Sequence, residues 1–157
     1  MNNTIKLLES IQTNLKEGIN YNLPDSAETF TKFKKAENYN KATDACKINA
    51  FKANIDLGED IYVGTITLKD NITEPHYFNV VNDTVQDHSN IFATGTPMEY
   101  KGINLSSILD DKGFTPTANG NAKGPNGEIL DITVTTSGII FSLDGKNMSY
   151  NDFIKNN

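Results

Sequence analysis

The feature that most constrains the fold is a two-residue break between two short runs of apolar and β-branched residues. Residues 76–81 (HYFNVV) and 84–89 (TVQDHS) flank Asn82-Asp83, a pair that tolerates the backbone of a tight hairpin turn. With that turn, Val81 lies opposite Thr84, Val80 opposite Val85, Phe78 opposite Asp87 and His76 opposite Ser89. Side chains alternate faces along a strand, so His76, Phe78, Val80, Val85 and Asp87 share one face. His76 and Asp87 become diagonal neighbours, with Cβ atoms about 7–8 Å apart, within reach of an imidazole and a carboxylate. His88 falls on the opposite face, beside Tyr77. A slip of one residue would reverse every assignment.

The stretch before this hairpin carries the chain's single cysteine. Thr43 or Asp44 can cap a helix running toward Leu57, with Gly58 as its stop. Cys46 then lies in the first turn, where the helix dipole and free N–H groups favour a thiolate. Ala42, Ala45, Ala50 and Ala53 suit a helix packed closely on other structure. A lone cysteine followed by a histidine and a carboxylate that can meet is a candidate nucleophile with its base and orienting acid. The alternative for Cys46 is a small buried core residue.

Cys-x-x-Asn-Ala on a helix (Cys46, Asn49, Ala50), an aromatic–Val–Gly strand (Tyr62, Val63, Gly64), then His76-Tyr77-Phe78-Asn79-Val80-Val81 and a turn to Val85-x-Asp87 resemble the papain-like/transglutaminase-like cysteine fold. The resemblance covers the middle third of the chain. It implies Cys46 as nucleophile, His76 as base and Asp87 as orienting acid. Tyr77-Phe78 stand where the family usually has a tryptophan after the histidine, and Asp87-His88-Ser89 where Asp-Pro-Thr is common. Asn40 sits six residues before Cys46, the spacing at which papain-like enzymes place an oxyanion-stabilising glutamine. Its amide could share that task with the Cys46 backbone N–H, or it is an ordinary loop asparagine. Asn79 alternates away from His76, which suits a structural hydrogen bond.

Composition excludes several classes of partner. All 14 basic residues are lysine, and the net charge is −6. Without clustered positive charge, direct nucleic-acid binding is not expected. No stretch has the apolar length of a membrane span, and the polar start MNNTIKLLES does not read as a signal peptide. One cysteine cannot close an internal disulfide, so a reducing cytoplasm is the expected setting, a host's if the chain is phage-encoded. Asp56, Glu59 and Asp60, like Asp110 and Asp111, lack metal-ligand spacing and read as solvated charges. No metal or organic cofactor is expected.

In chain order, Ile5, Leu8, Ile11, Leu15 and Ile19 predict a first amphipathic helix. Asp25 with Glu28 predicts a capping-box start to a second, with Phe30 and Phe33 on its apolar edge and Lys32, Lys34 and Lys35 solvated. Residues 61–68 read as a strand, with Gly64 allowing close backbone approach to the site. Residues 91–97 read as a transition, and Tyr100, Ile103, Leu105, Ile108 and Leu109 as a short helix or buried connector. Residues 112–127 read as a long mobile loop. Residues 129–136 and 139–143 predict paired strands, followed by a turn at Asp144-Gly145.

The expected architecture is one α+β domain of 157 residues. It has a helical amino-terminal part (1–37), a catalytic-like core whose thiol helix packs on an antiparallel sheet (38–96), and a β-rich carboxy-terminal extension (97–157). That extension, from about residue 112, is expected to govern recognition rather than thiol activation. The expected activity is acyl transfer by a Cys46–His76–Asp87 triad on a protein or peptide substrate, of peptidase, amidase, deamidase or transglutaminase type. The competing expectation is a non-catalytic, phage-encoded inhibitor that binds a host protein through its acidic surface.

Overall fold

The computed structural model describes residues 21–42 and 45–155. The expected helix over residues 5–19 and the capping candidates Thr43 and Asp44 lie outside them. The elements in order are β1 (Glu28–Phe30), β2 (Phe33–Lys35), α1 (Cys46–Leu57), β3 (Asp60–Leu68), β4 (Thr73–Val81), β5 (Thr84–Asp87), α2 (Ile91–Thr94), β6 (Pro97–Asn104) and α3 (Leu105–Lys112). There follow β7 (Thr115–Pro116), β8 (Ala122–Lys123), β9 (Ile129–Thr135), β10 (Gly138–Leu143), β11 (Lys146–Ser149) and α4 (Tyr150–Lys155). The described chain is thus α+β, with antiparallel-rich sheets.

The main sheet has the order β1-β6-β3-β4-β5-β2, antiparallel throughout except for the parallel β2–β5 pair. β1 and β2 occupy opposite edges, yet only Thr31 and Lys32 separate them. A flat six-stranded sheet would set its edges about 24 Å apart, and the three steps from Phe30 to Phe33 reach about 11 Å at most. The sheet must therefore curl until its edges approach. Rings from both edges meet on the concave side: Phe30 lies 6.0 Å from Phe78 and Phe33 lies 5.3 Å from Tyr100, centroid to centroid. Tyr62, Ile66 and Val85 complete that core. The facing glycines Gly64 and Gly102 allow the bend. A Cβ on Gly64 would stand 1.9 Å from the Lys101 carbonyl oxygen. The close approach at Gly64 is thus to β6, not to the site.

On the convex side, Ile61, Val63, Tyr77 and Ile103 pack against Ala50 and Phe51 of α1 and against Ile132 and Phe141 of a second sheet. That sheet has the order β11-β10-β9-β8-β7.

Several expectations need correction. Residues 28–30 and 33–35 form strands, not the expected second helix. Thr29, Phe30, Thr31 and Phe33 are β-branched or aromatic, and pairing with β6 and β5 outweighs the capping-box signal. The amino-terminal part is accordingly not helical where it is described, although Lys32, Lys34 and Lys35 are exposed as expected. The division at residue 97 falls inside the main sheet, because β6 lies between β1 and β3. Tyr100 and Ile103 belong to that strand, and only from Leu105 does the chain turn helical.

Residues 112–127 are a structured hairpin rather than a long loop. Gly120 and Gly127 supply positive φ of 84°, Thr117 Oγ1 donates to Asn121 Oδ1, and the Asn126 N–H donates to Glu128 Oε1. The carboxy-terminal strands are paired as expected, with turns at Thr136-Ser137 and Asp144-Gly145.

Candidate active site

The β4–β5 hairpin has the expected register: Val81 faces Thr84, Val80 faces Val85 and Asn79 faces Gln86. Asn82 and Asp83 both take positive φ, 51° and 62°, the conformation of a type I′ turn. This parity sends His76 and Asp87 to the concave side. His76 Nε2 lies 3.0 Å from Asp87 Oδ2. Both side chains are buried, Asp87 completely.

A buried carboxylate is costly unless it is paired and hydrogen-bonded. Asp87 has three donors. Besides His76, the Tyr100 hydroxyl donates to Oδ2 at 2.6 Å, and the Ser89 backbone N–H donates to Oδ1 at 2.9 Å. Tyr100, on β6, was not legible as a site residue, because no local spacing links it to Asp87. The His76 ring is further held between Phe78 and Tyr100, at centroid distances of 6.3 and 5.9 Å.

Cys46 reaches this pair from the start of α1. Ala45 is the N-cap and supplies no side-chain cap, while Gly58 ends the helix with φ of 73°. β5 stops at Asp87, so beyond Asn79 the edge of β4 is open. There Cys46 lines one cavity with His76, and His76 and the Tyr77 backbone N–H both favour its thiolate. With Nε2 turned to Asp87, Nδ1 is the ring nitrogen left to face the thiol. The first-turn N–H of Cys46 has no acceptor within its own helix.

The electrostatics follow from these contacts. Burial pushes the Cys46 thiol up, but the hydrogen bond and charge of His76, with the Tyr77 N–H, outweigh burial and the opposing charge of Asp87. The thiol stands below its ordinary 9.0. Burial pushes His76 down, and Asp87 and Cys46 more than reverse this, holding the imidazole well above 6.5. Burial pushes Asp87 up, and donation from His76, Ser89 and Tyr100 brings its carboxyl well below 3.8. These shifts move Cys46 toward the thiolate, His76 toward the imidazolium and Asp87 toward the carboxylate.

Cys46 and His76 open on a cavity of about 280 Å³, also lined by Glu74 and Pro75 of β4 and by Ser89, Asn90, Ile91 and Thr94. No protein-family model, curated protein or solved structure matches the chain. Any functional reading therefore rests on the site itself.

Other sequence candidates lie elsewhere. His88 is on the opposite side of the hairpin, with Nδ1 2.7 Å from the Glu37 carbonyl oxygen, Nε2 2.7 Å from Glu59 Oε1, and Tyr39 stacked on its ring. Glu59 is thus an ion-pair partner, not a solvated charge. Asn40 is exposed, its side-chain oxygen accepting the Ala42 N–H and its carbonyl the Asn49 amide. It does not line the cavity. Asn79 donates to the carbonyls of Ala50 and Glu59, fixing α1 to β4. Asn49 donates to the carbonyls of Asn40 and His88 and to the Asn38 side chain, tying α1 to the segments on either side of it. Among the described residues, no group of three or more His, Cys, Asp or Glu side chains is placed to hold a metal ion. Nor is any helix long and apolar enough to cross a membrane.

Proposed function

We propose that the chain is a cysteine-dependent acyl-transfer enzyme related to the papain-like/transglutaminase-like fold, acting on a protein or peptide in a reducing cytoplasm. The observation that carries this reading is one cavity lined by both Cys46 and His76, with His76 hydrogen-bonded to the buried Asp87 behind it.

The Cys46 thiolate attacks the substrate carbonyl carbon, and the carbonyl electron pair moves onto oxygen. The Cys46 N–H, aimed outward from the first helical turn, stabilises that oxyanion. As the tetrahedral intermediate collapses, the His76 imidazolium protonates the departing amine or alcohol and leaves a thioester on Cys46. Neutral His76 then takes a proton from the acceptor, which attacks the thioester and releases the thiolate. Water as acceptor makes the reaction a hydrolysis, and an amine makes it a transamidation. Asp87 orients the imidazole and stabilises its charged form. Tyr100 and the Ser89 N–H, in turn, position Asp87.

The test uses a small activated ester, p-nitrophenyl acetate. The proposal expects a burst of one nitrophenolate per chain with an acetyl group on Cys46. His76→Ala should slow the burst about 10²-fold or more, and His88→Ala should leave it nearly unchanged. Acetylation no faster than that of the urea-unfolded chain would overturn the reading and favour the non-catalytic binding protein.

A further inference from the structure

The cavity over the thiol carries one further charged group. Glu74 lies two residues before His76 on β4, so the two side chains leave the strand on the same face. It lines the same cavity as Cys46 and His76. Glu74 is half-buried, and its carboxylate has no hydrogen-bond or ion-pair partner among the described residues. Burial, and after it the Glu74 charge, raise the Tyr21 hydroxyl above its ordinary value. The remaining lining residues, Pro75, Ser89, Asn90, Ile91 and Thr94, are neutral.

We infer that Glu74 selects a peptide-like acyl substrate bearing a basic side chain beside the reacting carbonyl. This rests on the acyl-transfer reading above. The thiolate and imidazolium offset one another, and Asp87 adds a buried negative charge behind them. Glu74 therefore leaves the cavity with a net negative field at the point where a substrate side chain must lie. A lysine or arginine side chain would pair with the Glu74 carboxylate, whereas an acidic one would face like charge at low solvation.

Methanethiosulfonates differing only in charge provide the test. Each gives its S-alkyl group to the Cys46 thiolate and releases methanesulfinate. The readout is the rate with the cationic trimethylammonioethyl reagent over that with the anionic sulfonatoethyl reagent, each normalised to 2-mercaptoethanol. Because both rates come from one protein, changes in thiol activation cancel. In the native chain the ratio should exceed one by about tenfold and fall with added salt. Glu74→Gln should lower it about fivefold, and Glu74→Lys should bring it below one. Asp111→Asn, an equal change in net charge at an exposed site remote from the cavity, should leave it in place. A ratio that Glu74→Gln does not move, or that Asp111→Asn moves equally, would overturn the inference. The neutral methyl reagent keeps the two readings apart. Fast reaction with a flat charge ratio removes only the role of Glu74, whereas slow reaction of the native chain removes the activated thiol.

Discussion

Asp87 illustrates how a buried charge is made tolerable and put to use. Its oxygens accept from His76, Tyr100 and the Ser89 N–H, and no solvent reaches it. Hydrogen bonds to charged groups contribute about 1.5–3 kcal/mol, so Tyr100→Phe should cost roughly 2 kcal/mol in urea unfolding. The pH dependence has a definite sign. A carboxyl held below its unfolded value stabilises the fold above pH 3.8, and that stability is lost as pH falls toward the folded value of about 2. Tyr100→Phe weakens the depression, so its acid-unfolding midpoint should move to higher pH than that of the native chain. An unchanged midpoint in an acid titration followed by circular dichroism would remove Tyr100 from the account.

At the scale of elements, the β4–β5 hairpin and the start of α1 place the site. Asp83 holds φ of 62° in the turn, a conformation glycine adopts without steric cost. Asp83→Gly should raise stability by about 0.5 kcal/mol and leave the face of Asp87 unaltered. Gly64→Ala should do the opposite, since its methyl would meet the Lys101 carbonyl where the sheet bends. A loss of roughly 2–3 kcal/mol is expected, and denaturant titration of both variants checks the pair.

The hairpin, α1 and the β9–β10–β11 meander were legible because their signals are local: a two-residue turn, a helix-stop glycine, an alternating run. β1 and β2 were not. Their pairing is with strands distant in sequence, β6 and β5, and nothing between Asp25 and Glu37 announces it. The same reason hid Tyr100, which meets Asp87 only because β6 lies across the curl from β5. Cys46, His76 and Asp87 could be read from the chain, whereas the groups that hold Asp87 in place could not.

The whole molecule is less divisible than a chemical core with a recognition extension. Leu130, Ile132, Ile139 and Phe141 from the second sheet share one core cluster with Phe51 of α1 and Val63 and Tyr77 of the main sheet. The Tyr77 hydroxyl donates to the Ile132 carbonyl, while the Tyr77 N–H favours the Cys46 thiolate. A Cβ on Gly120 would lie 3.2 Å from Lys47, so the β7–β8 turn packs on the first turn of the thiol helix. Removing residues 128–157 should therefore unfold the main sheet as well, and limited proteolysis should find no protected fragment spanning Cys46 to Asp87. Phe141→Ala, at a fully buried position, should cost about 3–5 kcal/mol and slow acylation only through the unfolded fraction.

His76 lowers the Cys46 thiol below its ordinary value, and ultraviolet absorbance of the thiolate tests this directly. Titrating the native chain should give a midpoint below the ordinary 9.0. In His76→Ala the counter-charge is gone while burial remains, so the midpoint should rise above 9.0, with His88→Ala remaining like the native chain. A native midpoint at or above 9.0, or one that His76→Ala leaves in place, would contradict the account.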